Sequence, residues 1–154
     1  MFRRRLLGAA GGLFLTACTS ALPSGDAAAS VRPDSPFAAN AVLGIWPDVV
    51  AVAPVEVRTA YAYAVPGPRS LTYIPCYCGC GPSGHKDNLG CYVQRFAGGG
   101  WVVIEPHATG CGVCVGITLD VIAMEKQGVA LKDIRSTIDQ KWSKAGPSTQ
   151  TRTP

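Results

Sequence analysis

Residues 73–92 read YIPCYCGCGPSGHKDNLGCY. This stretch sets Cys76, Cys78, Cys80 and Cys91 around His85, and residues 107–114, HATGCGVC, add His107, Cys111 and Cys114. Pro75, Gly79, Gly81, Pro82 and Gly84 leave no run long enough for a helix or strand, so Pro75 to Asn88 is expected to be irregular loop. Regular structure is therefore expected on either side of it. Upstream, PVEVRTAYAYAV (54–65) follows Pro54, a residue suited to a helix start, and stops at Pro66-Gly67-Pro68. A helix over Glu56 to Val65 is expected. Downstream, CYVQRF and WVVIEP flank AGGG, which predicts a β-hairpin from Tyr92–Phe96 and Trp101–Ile104. Val113, Ile117, Val121 and Met124 recur at helical spacing until Gly128, and Leu131, Ile134, Ile138 and Trp142 mark a second helix. The expected fold class is small α+β and mostly helical: one N-terminal helix, an irregular Cys-rich loop, a β-hairpin and two C-terminal helices.

The N-terminus reads as an address. MFRRRLLGAAGGLFLTAC opens on three arginines, continues through an apolar run from Leu6 to Ala17 and reaches Cys18. The run is too short for a spanning helix, which takes roughly 20 apolar residues. A basic start, a short apolar middle and small residues before a cut point make residues 1–17 an export signal. LTAC resembles the bacterial lipobox, which implies cleavage before Cys18 and a lipid on its thiol. FRRRLL is similar to the twin-arginine export pattern. The expected localisation is the cell envelope, on the outer face of a membrane, in the periplasm or at the cell surface.

Removing that signal changes the charge. The chain has 14 basic and 10 acidic residues; without Arg3, Arg4 and Arg5 the counts become 11 and 10, and no basic stripe survives. Nucleic acid is not an expected partner. Residues 18–53, rich in Ala, Pro and Ser, read as a lipid-anchored tether, with Trp46 in AVLGIWPDVV able to dock on the domain. Residues 145–154 read as a disordered tail. The domain proper is 54–144, about 90 residues, a length at which cross-links or metals often supplement the apolar core.

Its six cysteines admit three readings. In an exported chain they would ordinarily be disulfides, with 15 possible pairings. Cys76, Cys78 and Cys80 lie too close along the chain for ready bridging to one another. They would have to pair with Cys91, Cys111 and Cys114, stacking three bridges through one small volume. A metal accounts for the crowding directly, because C-x-C and C-x-x-C pairs each bring two thiolates from one short loop. Sulfur with imidazole suits Zn(II) or Cu(I) over Mg(II) or Ca(II). The candidate ligands are Cys76, Cys78, Cys80, His85, Cys91, His107, Cys111 and Cys114. Eight donors exceed one tetrahedral site, so either two ions share them or one four-ligand site coexists with a disulfide or free thiols. Glu105 can orient the His107 ring or stand as a solvated charge. The third reading is thiol–disulfide exchange at Cys111 and Cys114, which sit where a helix begins and thiolate is favoured. No G-x-S-x-G, H-E-x-x-H or phosphate-cradling loop is present, and a Cys–His nucleophile among thiols this crowded would tend to oxidise or bind metal instead.

The pattern IPCYCGCG, Gly84–His85, Leu89-Gly-Cys-Tyr92, His107 and Cys111-Gly-Val-Cys114 resembles the bacterial exported proteins and lipoproteins named for their PCYCGC motif. The likeness runs from about Val57 to Trp142 and extends through QGVALKDIRSTIDQKW (127–142). It implies a helix before the motif, two helices after it, and eight Cys and His residues acting as a set; no activity comes with it. Ala130 departs from the pattern, standing where a hydroxyl-bearing helix cap is expected. The partners implied are the membrane, through lipid on Cys18, and another envelope protein or a metal acceptor. A structural module knit by disulfides remains the rival interaction reading.

Overall fold

The structure, a computed structural model, describes residues 32–154. The expected export signal, residues 1–17, and Cys18 lie outside the described residues. In chain order the elements are strand β1 (Ala38–Ala39), helix α1 (Asp48–Ala51), helix α2 (Val55–Ala64), strand β2 (Val93–Gly98), strand β3 (Trp101–Ile104), helix α3 (Gly112–Lys126) and helix α4 (Leu131–Trp142). Short 3-10 turns fill the long connection between α2 and β2 and the step from β3 to α3. The small α+β architecture is the one the sequence implies. No helix among the described residues is long and apolar enough to cross a membrane.

Local chemistry explains the boundaries. Pro54 occupies the cap position of α2 in an extended conformation, and its carbonyl accepts from Arg58 N. The hairpin turns on Gly98, Gly99 and Gly100, all at positive φ, a conformation that costs a side chain 1–2 kcal/mol or so and glycine nothing. α3 ends where Gly128 takes φ +74°. α4 begins at Ala130 with no side-chain cap, the deficit legible in the sequence.

β3 is the middle strand of an antiparallel sheet ordered β1-β3-β2, and all four of its residues are buried. Val93 pairs with Ile104 and Gly98 with Trp101, with register shifts between. On the far edge Ala38 and Ala39 pair with Val103 and Val102. This part of the expected tether is thus structured: both alanines are fully buried, and the buried Asn40 amide donates to Gly99 O at 3.3 Å. Small side chains let the segment lie flat on an otherwise open sheet edge. Trp46 and Val50 pack against the core.

The core runs from α2 through the sheet to α3 and α4, with Tyr61, Tyr92, Ile104, Ile117, Val121, Ile134 and Ile138 all fully buried or nearly so. Tyr61 and Tyr92 meet edge to face at 5.0 Å. α4 closes on α3 at Gly116, where an added Cβ would stand 2.5 Å from the Trp142 ring. The Trp142 indole donates to Asp120 Oδ2 at 2.8 Å, and Lys141 Nζ pairs with the same carboxylate at 2.7 Å.

The C-terminal residues, expected to be disordered, lie along the Cys-rich loop instead. Thr149 is buried; its N donates to Cys76 O at 2.9 Å, and its hydroxyl accepts from Cys76 N at 3.0 Å. Composition marks a segment as unable to build a core by itself, but says nothing of a preformed groove with unpaired backbone groups to satisfy.

Candidate metal centre

Four short segments bring the sulfur and imidazole groups together. Cys76, Cys78 and Cys80 come from the first residues of the Cys-rich loop. Alternation there turns Tyr77 the other way, and its hydroxyl donates to Asp139 Oδ1 on α4 at 2.7 Å. Arg135 braces the same carboxylate with Nε at 2.9 Å from each oxygen, and its Nη1 donates to Tyr73 O at 2.9 Å. Gly79, at φ +79°, then curls the chain so that Cys80 rejoins Cys76 and Cys78. The turn carrying His85 and Cys91 follows. The step after β3 supplies His107 and Cys111, and the first turn of α3 supplies Cys114.

Cys111 is the N-terminal cap of α3, its sulfur accepting from Cys114 N at 3.5 Å. Glu105 plays the same part for the short turn before it. Its carboxylate accepts from the His107 backbone N at 3.2 Å and does not orient the imidazole. The reason is spacing: the side chain of the residue just ahead of a turn reaches its free N–H groups first.

The eight residues named from the sequence all converge. Cys76 Sγ lies 3.3 Å from Cys78 Sγ and 3.1 Å from Cys114 Sγ. Cys114 Sγ lies 3.1 Å from Cys111 Sγ and 3.6 Å from Cys78 Sγ. Cys78 Sγ is 3.4 Å from His107 Nε2, Cys80 Sγ 3.7 Å from Cys91 Sγ, and Cys91 Sγ 3.4 Å from His85 Nδ1. The two imidazoles meet edge to face at 5.0 Å. Among the described residues all six cysteines are free. None of these separations approaches the ~2.05 Å of a disulfide; they fall near the ~3.8 Å edge of a tetrahedron with ~2.3 Å metal–sulfur bonds.

Three quartets have donor atoms all within 4.8 Å of one another: Cys76, Cys78, Cys80 and Cys91; Cys78, His107, Cys111 and Cys114; and Cys80, His85, Cys91 and His107. The donor set, mostly thiolate with imidazole, fits a soft ion. Cys76, Cys80, Cys91 and Cys114 form a buried floor, while Cys78, Cys111, His85 and His107 are half-buried. A cleft of ≈ 450 Å³ beside His85, lined also by Lys86, Asp87, Phe96 and Glu105, reaches this rim.

The protonation pattern shows what the arrangement lacks in charge. Hydrogen bonds from Cys114 and Cys91 hold the Cys76 thiol far below its ordinary range, at about 2. Contacts with Cys76 and Cys91, then burial, push Cys114 strongly up. Burial, then its neighbours Cys80 and Cys76, raises Cys78. Cys76 is thus favoured as the thiolate while Cys78, Cys80, Cys91 and Cys114 are held above the ordinary thiol range, since like charges about 4 Å apart in a protein repel by ~4 kcal/mol per pair. A bound cation would relieve that repulsion.

Residues outside the Cys and His pattern hold the frame. Asn88, Tyr92 and Thr118 are fully buried and share one polar knot. Tyr92 OH donates to Cys114 O at 2.9 Å, Asn88 Nδ2 to the same carbonyl at 3.4 Å, and the Thr118 hydroxyl joins Tyr92 OH at 2.8 Å and Asn88 Oδ1 at 3.1 Å. Asn88 N also donates to Ile74 O at 2.8 Å, tying both ends of the Cys-rich loop together. The one signal available beforehand was a threonine on the apolar stripe of α3.

No curated protein and no solved structure matches this chain. The family model for proteins of unknown function with a PCYCGC motif matches residues 15–154. The chain belongs to that family.

Proposed function

We propose that this protein is exported, anchored to the outer face of a membrane by lipid on Cys18, and binds soft metal ions, Zn(II) or Cu(I), for structure, storage or delivery. One observation carries the metal reading: six free thiols and both imidazoles of the chain, drawn from four segments, fall into three compact quartets with tetrahedral-like spacing. Apolar packing gives no reason for eight such groups to converge. The address rests on MFRRRLLGAAGGLFLTAC alone. The half-buried rim at Cys78, Cys111 and the histidines suits handover to a metal acceptor in the envelope, since an acceptor thiol can reach those donors first.

Elemental analysis paired with thiol counting tests the reading, on protein made in its native envelope and purified without chelator or metal-charged resin. Bound zinc or copper, with thiols titratable only after denaturation and chelation, is the expected result. No metal and six oxidised sulfurs would sink it in favour of a disulfide-knit interaction module.

A second reading has its own observation. Cys111 and Cys114 lie 3.1 Å apart at the start of a 15-residue helix, with Cys111 half-exposed. That geometry suits thiol–disulfide exchange with an envelope partner. Four oxidised sulfurs, one pair cycling under mild reductant, would favour it.

A further inference from the structure

Three quartets drawn from eight residues must overlap. The first and second share Cys78, the second and third share His107, and the first and third share Cys80 and Cys91. No two of them are disjoint, so two four-coordinate ions cannot divide these quartets without a common ligand. The chemistry of the shared atom then decides which pair fits. A thiolate sulfur has lone pairs enough to bind two cations at once, whereas one imidazole nitrogen has a single lone pair. The first and second quartets share only a sulfur. Together they use all six cysteines and His107, leaving His85 outside.

Cys78 is the one residue common to both quartets, whose halves also meet where Cys76 Sγ lies 3.1 Å from Cys114 Sγ. The Cys78 sulfur is 3.3 Å from Cys76 on one side, and 3.6 Å from Cys114 and 3.4 Å from His107 on the other.

We propose that the site is polynuclear, with at least two soft metal ions joined by the Cys78 thiolate. One ion takes Cys76, Cys80 and Cys91 as its other ligands, and the second takes His107, Cys111 and Cys114. Two ions sharing one sulfur lie no further apart than two metal–sulfur bonds, about 4.6 Å. This inference rests on the metal-binding reading and adds nuclearity and the identity of the bridge.

The test is an anaerobic titration of the reduced, metal-free mature chain in detergent. Zn(II) is added as its sulfate, and in a parallel series Cu(I) as its acetonitrile complex, with native mass spectrometry counting ions per chain. X-ray absorption then looks for a metal–metal scattering vector. Expected are two or more ions per chain and a metal–metal vector, in at least one series. Cys78→Ser should remove the vector and at least one ion, with an unchanged circular dichroism spectrum. Saturation at one ion in both series would overturn the polynuclear site and leave metal binding standing. No bound ion would remove both. Two ions without the vector, or a vector that survives Cys78→Ser, would overturn the bridge.

Discussion

The α3–α4 hairpin and the Cys-rich loop lie side by side and are held by opposite means. The hairpin is apolar matched to apolar: Ile117 and Val121 on α3, Ile134 and Ile138 on α4, with Trp142 seated on Gly116. Its cohesion comes from burying area, and the groups involved sit within 27 residues of one another along the chain. The loop has few apolar side chains to spend and no ladder of its own. Thr149 holds Cys76, Asp139 holds Tyr77, and Asn88 ties Ile74 to the start of α3. Its own sulfurs repel one another once ionised. A region built this way is organised by its surroundings and by whatever cation it binds, whereas the hairpin organises itself.

Four perturbations separate the two regions, and the largest is metal removal. With free ion at about 1,000 times its dissociation constant, stripping a bound ion should lower stability by ~4 kcal/mol. Hydrogen exchange should accelerate over residues 75–91 and 111–114 while the amides of 117–138 stay protected. Equal acceleration in both regions would break the contrast. Ile138→Ala should cost ~3 kcal/mol, the middle of the usual range for emptying a buried aliphatic site. The loss, read by denaturant unfolding, should be similar with and without metal, and ion stoichiometry should not change.

Thr149→Val keeps the shape but deletes the acceptor for the buried Cys76 N–H. A cost of ~1–3 kcal/mol follows, and the faster amide exchange should be confined to the Cys-rich loop. A change centred on α4 would mean that the tail braces the hairpin instead. The smallest effect is a gain: Ala130→Ser supplies the missing cap of α4 and should add ~1 kcal/mol. Thermal unfolding would register it, with metal binding unaltered.

Legibility followed the same divide. α3 and α4 could be read because their apolar residues repeat every three to four positions and glycine ends the first, all within one segment. The eight candidate ligands could be read because cysteine and histidine are scarce and their spacing is tight. β1 could not. Ala38 and Ala39 carry no strand signal, and only the open edge of β3 makes them one. The tail was equally opaque, since Pro147, Thr149 and Thr151 look like solvated chain until Gly79, Cys76 and Lys86 O stand opposite them. Glu105 beside His107 invited a role on the imidazole, and the geometry gave it to a backbone N–H.

From its sequence alone, the helices α2, α3 and α4, the β2–β3 hairpin and the residues fit for metal chemistry follow, because each depends on side-chain type and on neighbours a few bonds away. Which sulfur touches which was decided by tertiary structure. Cys114 reaches Cys76 across 38 residues at 3.1 Å, and Cys78 reaches His107 across 29 at 3.4 Å. Those distances are set by how the strand and helices beneath the loops pack, and local spacing does not encode them.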